Sequence, residues 1–171
     1  MADRWTFDKI MKRYSYLLLL LFPSLTLARL GETEQELVAR FGGPASRAKE
    51  ITLTQGKIID FGSKLTFRQG DWTIVCAIID GRSAREVYHK RGEWTEDQFT
   101  TVLTSNGQGA KWTDISKPSV RKLAREWRRE DGAKAIWRMG VAMSVTQPAY
   151  ERAKVNAEAK AKSDASRLPK I

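Results

Sequence analysis

The 171-residue sequence holds one cysteine, Cys76, and one histidine, His89. A lone thiol excludes an intramolecular disulfide, and one thiol with one imidazole cannot furnish a zinc site built from several Cys and His ligands. No apolar run reaches the ~20 residues that a spanning helix needs. The motifs G-x-S-x-G and H-E-x-x-H and the EF-hand loop are missing. Gly107-Gln108-Gly109 is the nearest approach to a phosphate loop. It follows a helix pattern rather than a strand, lacks a third glycine and has no lysine-serine pair, so it reads as a helix cap and turn. These absences point to no catalytic residue, no cofactor and no metal. One enzymatic alternative stays open, a hydrolase using a carboxylate pair, because such pairs have no local signature.

What is present suits one domain. The chain is 42% apolar and 29% charged, which is neither the composition of a disordered polymer nor that of a multi-pass membrane protein. Residues 1–28 read as an export signal. Lys12-Arg13 form a basic region, Tyr16–Leu27 form an apolar region interrupted by Pro23, and Thr26 and Ala28 set small residues for cleavage after Ala28. Met11 would open a compact signal by itself, so the first ten residues read as an extension or as a misplaced start. The expected destination is the periplasm or the medium, with membrane association if the signal is retained. Charge is unevenly spread beyond it. Residues 29–115 hold 12 basic and 12 acidic side chains, whereas residues 116–171 hold 14 and 6, so the excess of the chain, +10 overall, lies in the last third.

Thr33 with Glu36 forms a capping box for a first helix whose stripe is Leu37, Val38 and Phe41, and Gly42-Gly43-Pro44 ends it. Short strands are expected at 51–54 and 58–61, then a meander over 64–90 punctuated by the two-residue turns Gly70-Asp71 and Asp80-Gly81. Those turns pair Phe67 with Ile74 and Leu65 with Cys76. They also pair Ile74 with Val87, Cys76 with Arg85 and Trp72 with His89, which puts Val87 on the core face and Glu86 and Tyr88 on the other. A second helix opens at Thr95 with Gln98 completing its box and Trp94 and Phe99 as a hydrophobic staple; Asn106-Gly107 closes it. After Trp112 two readings fit: a helix carrying Val120, Leu123, Ala124 and Trp127, or a hairpin about Asp131-Gly132 pairing Trp127 with Ile136. A short helix or loop followed by the hairpin is favoured, with a further strand at 141–145. The fold class is therefore α+β, with an antiparallel sheet of four to six strands and two packed helices in a domain spanning 29–146. Residues 147–171 form a basic Ala/Lys-rich helical tail, exposed because alanine buries little area.

The C-terminal third mixes aromatic and cationic side chains. Trp112, Arg125, Trp127, Arg128, Arg129, Trp137 and Arg138 make a candidate surface for an anionic polymer or glycan. His89, expected beside Trp72 at the end of the sheet, has no nucleophile next to it in register.

The segment 29–44 resembles the opening of the SmpA/OmlA (BamE-like) envelope proteins, through Gly31, Thr33, Val38, Gly43 and Pro44. The run 72–88, WTIVCAIIDGRSAREVY, is similar to that family's strand–turn–strand. The same layout occurs in small secreted inhibitor domains of the β-lactamase-inhibitor type and in short signal-bearing bacterial proteins. The resemblance spans about residues 29–90 and implies a helix followed by a small antiparallel sheet. The family's lipid-anchor cysteine is absent here, and the basic tail has no counterpart there. The leading expectation is an exported, non-catalytic domain that binds an envelope or secreted protein. An anionic surface or polymer is the alternative partner, and nucleic acid is not expected of an exported chain.

Overall fold

In the computed structural model, which describes residues 29–166, helices start where their capping chemistry dictates. Helix α1 (Glu34–Phe41) begins at Thr33, whose side chain accepts from the Glu36 amide while the Glu36 carboxylate accepts from the Thr33 amide at 2.7 Å. Helix α2 (Glu96–Ser105) repeats the device with Thr95 and Gln98. Trp94 stacks on Phe99 at 5.3 Å between centroids, the expected staple. The expected leader, residues 1–28, and the last five residues lie outside the described part.

Eight strands form one antiparallel sheet, more than the four to six expected. They are β1 (Ser46–Thr54), β2 (Lys57–Gln69), β3 (Trp72–Ile79), β4 (Arg82–Lys90), β5 (Trp112–Asp114), β6 (Ala124–Arg129), β7 (Lys134–Arg138) and β8 (Ala142–Thr146). Their spatial order is β1-β2-β3-β4-β8-β7-β6-β5. Each helix thus heads a four-strand meander, and the last strands of the two meanders, β4 and β8, pair antiparallel at the middle. The strand order reads the same from either edge, so the two helix-and-meander units share one connectivity about the β4–β8 pair. The sequence shows no long repeat; only the twin capping boxes mark the two unit starts.

The sheet buries one face under α1 and α2. Leu37 and Val102 of the helices meet Leu65, Phe67, Ile74, Cys76, Tyr88, Trp127, Trp137, Met143 and Val145 in a single cluster. The β2–β3 register is as expected, Phe67 opposite Ile74 and Leu65 opposite Cys76. The β3–β4 register is not. Asp80 and Gly81 do form the two-residue turn, both at positive φ, so Ile79 faces Arg82 and Ile78 faces Ser83. Ala84 is then an extra residue, a bulge, and beyond it Ile74 faces Tyr88, Cys76 faces Glu86 and Thr73 faces His89. One inserted residue turns every later side chain over. Glu86 and Tyr88 therefore point into the core and Val87 points out. A similar slip corrects the second hairpin. Its loop is three residues, Glu130-Asp131-Gly132, with Gly132 at φ 87° and its amide on the Arg129 carbonyl, so Trp127 faces Ala135 rather than Ile136. The helix reading of 118–127 gives way to a single 3₁₀ turn, Pro118–Val120, and then β6.

The C-terminal segment is corrected too. Helix α3 (Pro148–Ser166) lies on the opposite face of the sheet, across β1 to β4. Tyr150, Ala149 and Ala153 pack on Phe61, Ala77, Ile79 and Ala84. Small residues on both surfaces let the backbones approach, so the alanines that bury little area individually still make a seat. Gly62 permits the sheet to fit beneath: a Cβ there would lie 2.6 Å from the Ile78 carbonyl oxygen and from Ile79 Cδ1. Gly62→Ala is expected to cost about 3 kcal/mol, as overpacking against backbone does. Chemical denaturation checks this; a midpoint equal to that of the parent chain refutes it.

Candidate functional site

The residues expected to form a binding surface divide between the two faces. Trp127 and Trp137 are buried on the core side, their rings 5.7 and 5.1 Å from Phe99, and Trp112 is half-buried with its indole N–H donating to the Leu103 carbonyl. Arg125 also faces inward. Its guanidinium lies 4.8 Å from the Phe99 ring centre and 4.9 Å from that of Trp127, and pairs with Glu96 at 2.6 Å. Arg129 is buried. It grips Asp131 through Nε and Nη2 at 2.8 and 2.6 Å, donates to the Asn106 carbonyl and covers the Trp112 ring. That grip holds the Asp131 carboxyl below the usual carboxylate range. Only Arg128 and Arg138 of the seven are exposed, on the outer face. The aromatic members thus belong to the core and the two exposed cations to another surface.

That other surface is the outer face of the sheet where α3 does not cover it. Register places Lys64 and Arg68 of β2, Arg85 and His89 of β4, Lys134 and Arg138 of β7, and Arg128 of β6 on this side. Glu126 of β6 shares it, and Glu50 of β1 lies on the same side beneath α3, bonded to Tyr150. Between the cations lie short or aliphatic groups: Thr73, Val75, Val87, Ile136, Ala142, Ser144 and Thr146. A groove of about 590 Å³ runs where β4, β8 and β7 meet the first turns of α3, with Arg85, His89, Arg138 and Lys154 around it and Glu151 as its carboxylate. Arg85 is positioned by Tyr150, whose hydroxyl accepts from the guanidinium at 3.1 Å and donates to Glu50 at 2.6 Å. Burial of the Tyr150 hydroxyl, reinforced by the Glu50 bond, pushes its pKa up to about 12. His89 is exposed, with Nδ1 3.2 Å from the Val141 carbonyl oxygen.

No protein-family model, curated protein or solved structure matches the chain.

On the core side a buried polar chain was missed by sequence reasoning. The Glu86 carboxylate accepts from Ser83 Oγ at 2.7 Å and from Tyr88 Oη at 2.5 Å. Tyr88 accepts from Asn106 Nδ2 at 3.0 Å, and Asn106 Oδ1 accepts from the Leu30 amide at 2.8 Å. Burial raises the Glu86 carboxyl to about 7 despite the two hydroxyl donors, with Glu32 raising it further and Arg40 opposing. The chain ties the segment before α1 to the end of α2 across β4, and every group in it has a partner. Cys76, its neighbour in register, is buried, which pushes the thiol far above its ordinary range and leaves it a small hydrophobe. Among the described residues no group of three His, Cys, Asp or Glu side chains could hold a metal ion, and no helix is long and apolar enough to cross a membrane.

Proposed function

We propose that the chain is an exported, non-catalytic binding domain that docks an acidic partner protein on the uncovered outer face of its sheet. The observation that carries this reading is the charge of that face: six Lys and Arg side chains and His89 on the strands, against two carboxylates, one of them bonded to Tyr150. A sheet face exposed only to water is best served by interspersed charges of both signs, whereas a field of one sign steers and selects an oppositely charged partner. The flat floor of Thr, Ser, Val and Ala offers contact area without long side chains to order on binding. The polymer reading, by contrast, has lost its stacking platforms to the core.

Photo-cross-linking groups placed at Thr73 and at Ser144 in the producing cells test the reading. Both are expected to trap the same acidic protein, which a group at Thr100 on the exposed side of α2 does not. The triple replacement Arg128→Glu, Lys134→Glu, Arg138→Glu is expected to abolish trapping while leaving the denaturation midpoint within about 0.5 kcal/mol, because the three side chains are exposed. Equal trapping at Thr100 would defeat the proposal. So would a chain that traps no protein yet loses retention on an anionic polysaccharide column in the triple variant, an outcome that favours the polymer. For the export part, the native chain is expected to begin at Arg29 in envelope or medium fractions; a full-length cytoplasmic chain refutes it.

A further inference from the structure

The two units that meet at β4 and β8 differ in what lies on their outer surfaces. On β1–β4 sits α3, seated over Phe61, Ala77, Ile79 and Ala84 and fastened by Tyr150 to Glu50 and Arg85. The counterpart of β1–β4 in the strand order is β5–β8, and among the described residues α3 reaches that half with its first turns, which line the groove beside β8 and β7. The bare surface has the same character as the covered one. Ala142, Ser144 and Thr146 give it short side chains, and Ile136 and Val141, the latter 65% exposed, give it aliphatic ones. Arg128 and Lys134 lie along one flank of the Ser144–Ile136 row and Arg138 along the other, while Glu126 faces Ile136 in the row itself. His89, Lys154 and the Glu151 carboxylate line the groove along α3.

We infer that this position is the seat of an acidic amphipathic helix contributed by the partner protein, lying across β8, β7 and β6 as α3 lies across β1–β4. The inference rests on the proposed function and narrows it. A partner strand cannot dock there by main-chain pairing. Both β7 and β8 are already hydrogen-bonded on either side, and strand addition needs an open edge, which only β1 and β5 have. An irregular acidic loop would satisfy the cations but leave Ile136 and Val141 in water. A helix does both: its apolar stripe covers the aliphatic floor, and acidic residues on its flanks reach Arg128 and Lys134 on one side and Arg138 on the other. Short floor residues admit the helix closely, as they admit α3.

The test is an amide-resolved NMR titration of the full mature chain with a capped helical peptide of about 18 residues, glutamate on its flanks and leucine along one stripe. Its counterpart has the same composition with two central prolines. The helical peptide is expected to shift Ala124, Ile136 and Ser144, to bind roughly ten-fold more tightly than the broken one, and to lose about ten-fold in affinity against the double variant Lys134→Glu, Arg138→Glu. Equal binding of the two peptides overturns the helix seat and leaves the cationic-face reading standing. Shifts confined to Thr66, Arg68 and Thr73 do the same. No shift from either peptide overturns both. Two other occupants are separated without peptide. If Ser144 shifts when residues 1–28 are removed, the chain fills its own seat; if Ser144→Arg dissolves a dimer seen by sedimentation, a second copy does. Either result overturns the inference.

Discussion

Glu86→Gln is expected to make the protein more stable than its parent at pH 8, by about 2 kcal/mol, and no more stable at pH 4.5. The Glu86 carboxyl is fully buried and titrates in the folded chain at about 7, against 4.5 for an unperturbed glutamate. A carboxyl raised by folding binds its proton more tightly in the native state. Its stabilising contribution is therefore fully present below pH 4.5 and is lost as pH rises through 7. The span between the two values corresponds to about 3 kcal/mol. Glutamine keeps the shape and cannot ionise, but one of the two hydroxyl donors, Ser83 or Tyr88, then meets an amide N–H₂, which offsets about 1 kcal/mol of the gain. Unfolding free energies from urea titrations across pH 4.5–8 check the sign. Parent and variant curves that run parallel over that window would eliminate the assignment.

A chain ending at Thr146 is expected to lose at least about 4 kcal/mol, enough to unfold a domain of ordinary stability. Removing α3 returns Phe61 and Ile79 to water, each a loss of about 1.5–3 kcal/mol, and takes the Glu158 carboxylate from the Thr52 hydroxyl. It also takes the Tyr150 hydroxyl from Glu50, leaving a carboxylate that is now 9% exposed without its donor. Should the truncated chain prove insoluble, Tyr150→Phe isolates the polar part. That variant is expected to cost about 1–2 kcal/mol, for the bonds to Glu50 and Arg85 alone. A truncated chain that melts with the parent would show that α3 is an appendage, as its composition suggests.

What the sequence discloses is governed by range. Capping boxes, staple and turns are decided within five residues, and they are found at Thr33, Thr95, Gly70-Asp71 and Asp80-Gly81 as read. Facing is decided at longer range. Alternation at Glu86-Val87-Tyr88 argues for burying valine, yet the bulge at Ala84 buries Glu86, whose polar partners are Ser83 and Tyr88, the latter bonded in turn by Asn106. Nothing local marks that bulge. The tryptophans between arginines look like a wet aromatic surface, but Trp127 and Trp137 alternate with Arg128 and Arg138 along their strands, so one residue type faces in and the other out. This period-two pattern is visible once β6 and β7 are known to be strands, and the competing helix reading hid it. The cationic face is distributed over β2, β4, β6 and β7, with no contiguous motif to find. Alanine spacing in α3 is visible as a stripe; that it meets Ala77 and Ala84 is a fact of tertiary structure alone.

The place of β4 in the strand order has a consequence for how the chain is made. Its second edge pairs only with β8, whose residues are synthesised some fifty positions later. Until the ribosome has delivered residue 146, the nascent β1–β4 meander presents an open inner strand, with Glu86 and Tyr88 beside it. The central pairing joins residues 55 to 61 positions apart, Tyr88 with Met143 and Arg85 with Thr146, and loop closure precedes its reward. The first meander must therefore wait in a half-sheet state with a sticky edge, where a charged, wettable Glu86 is an advantage that a leucine at the same position would forfeit.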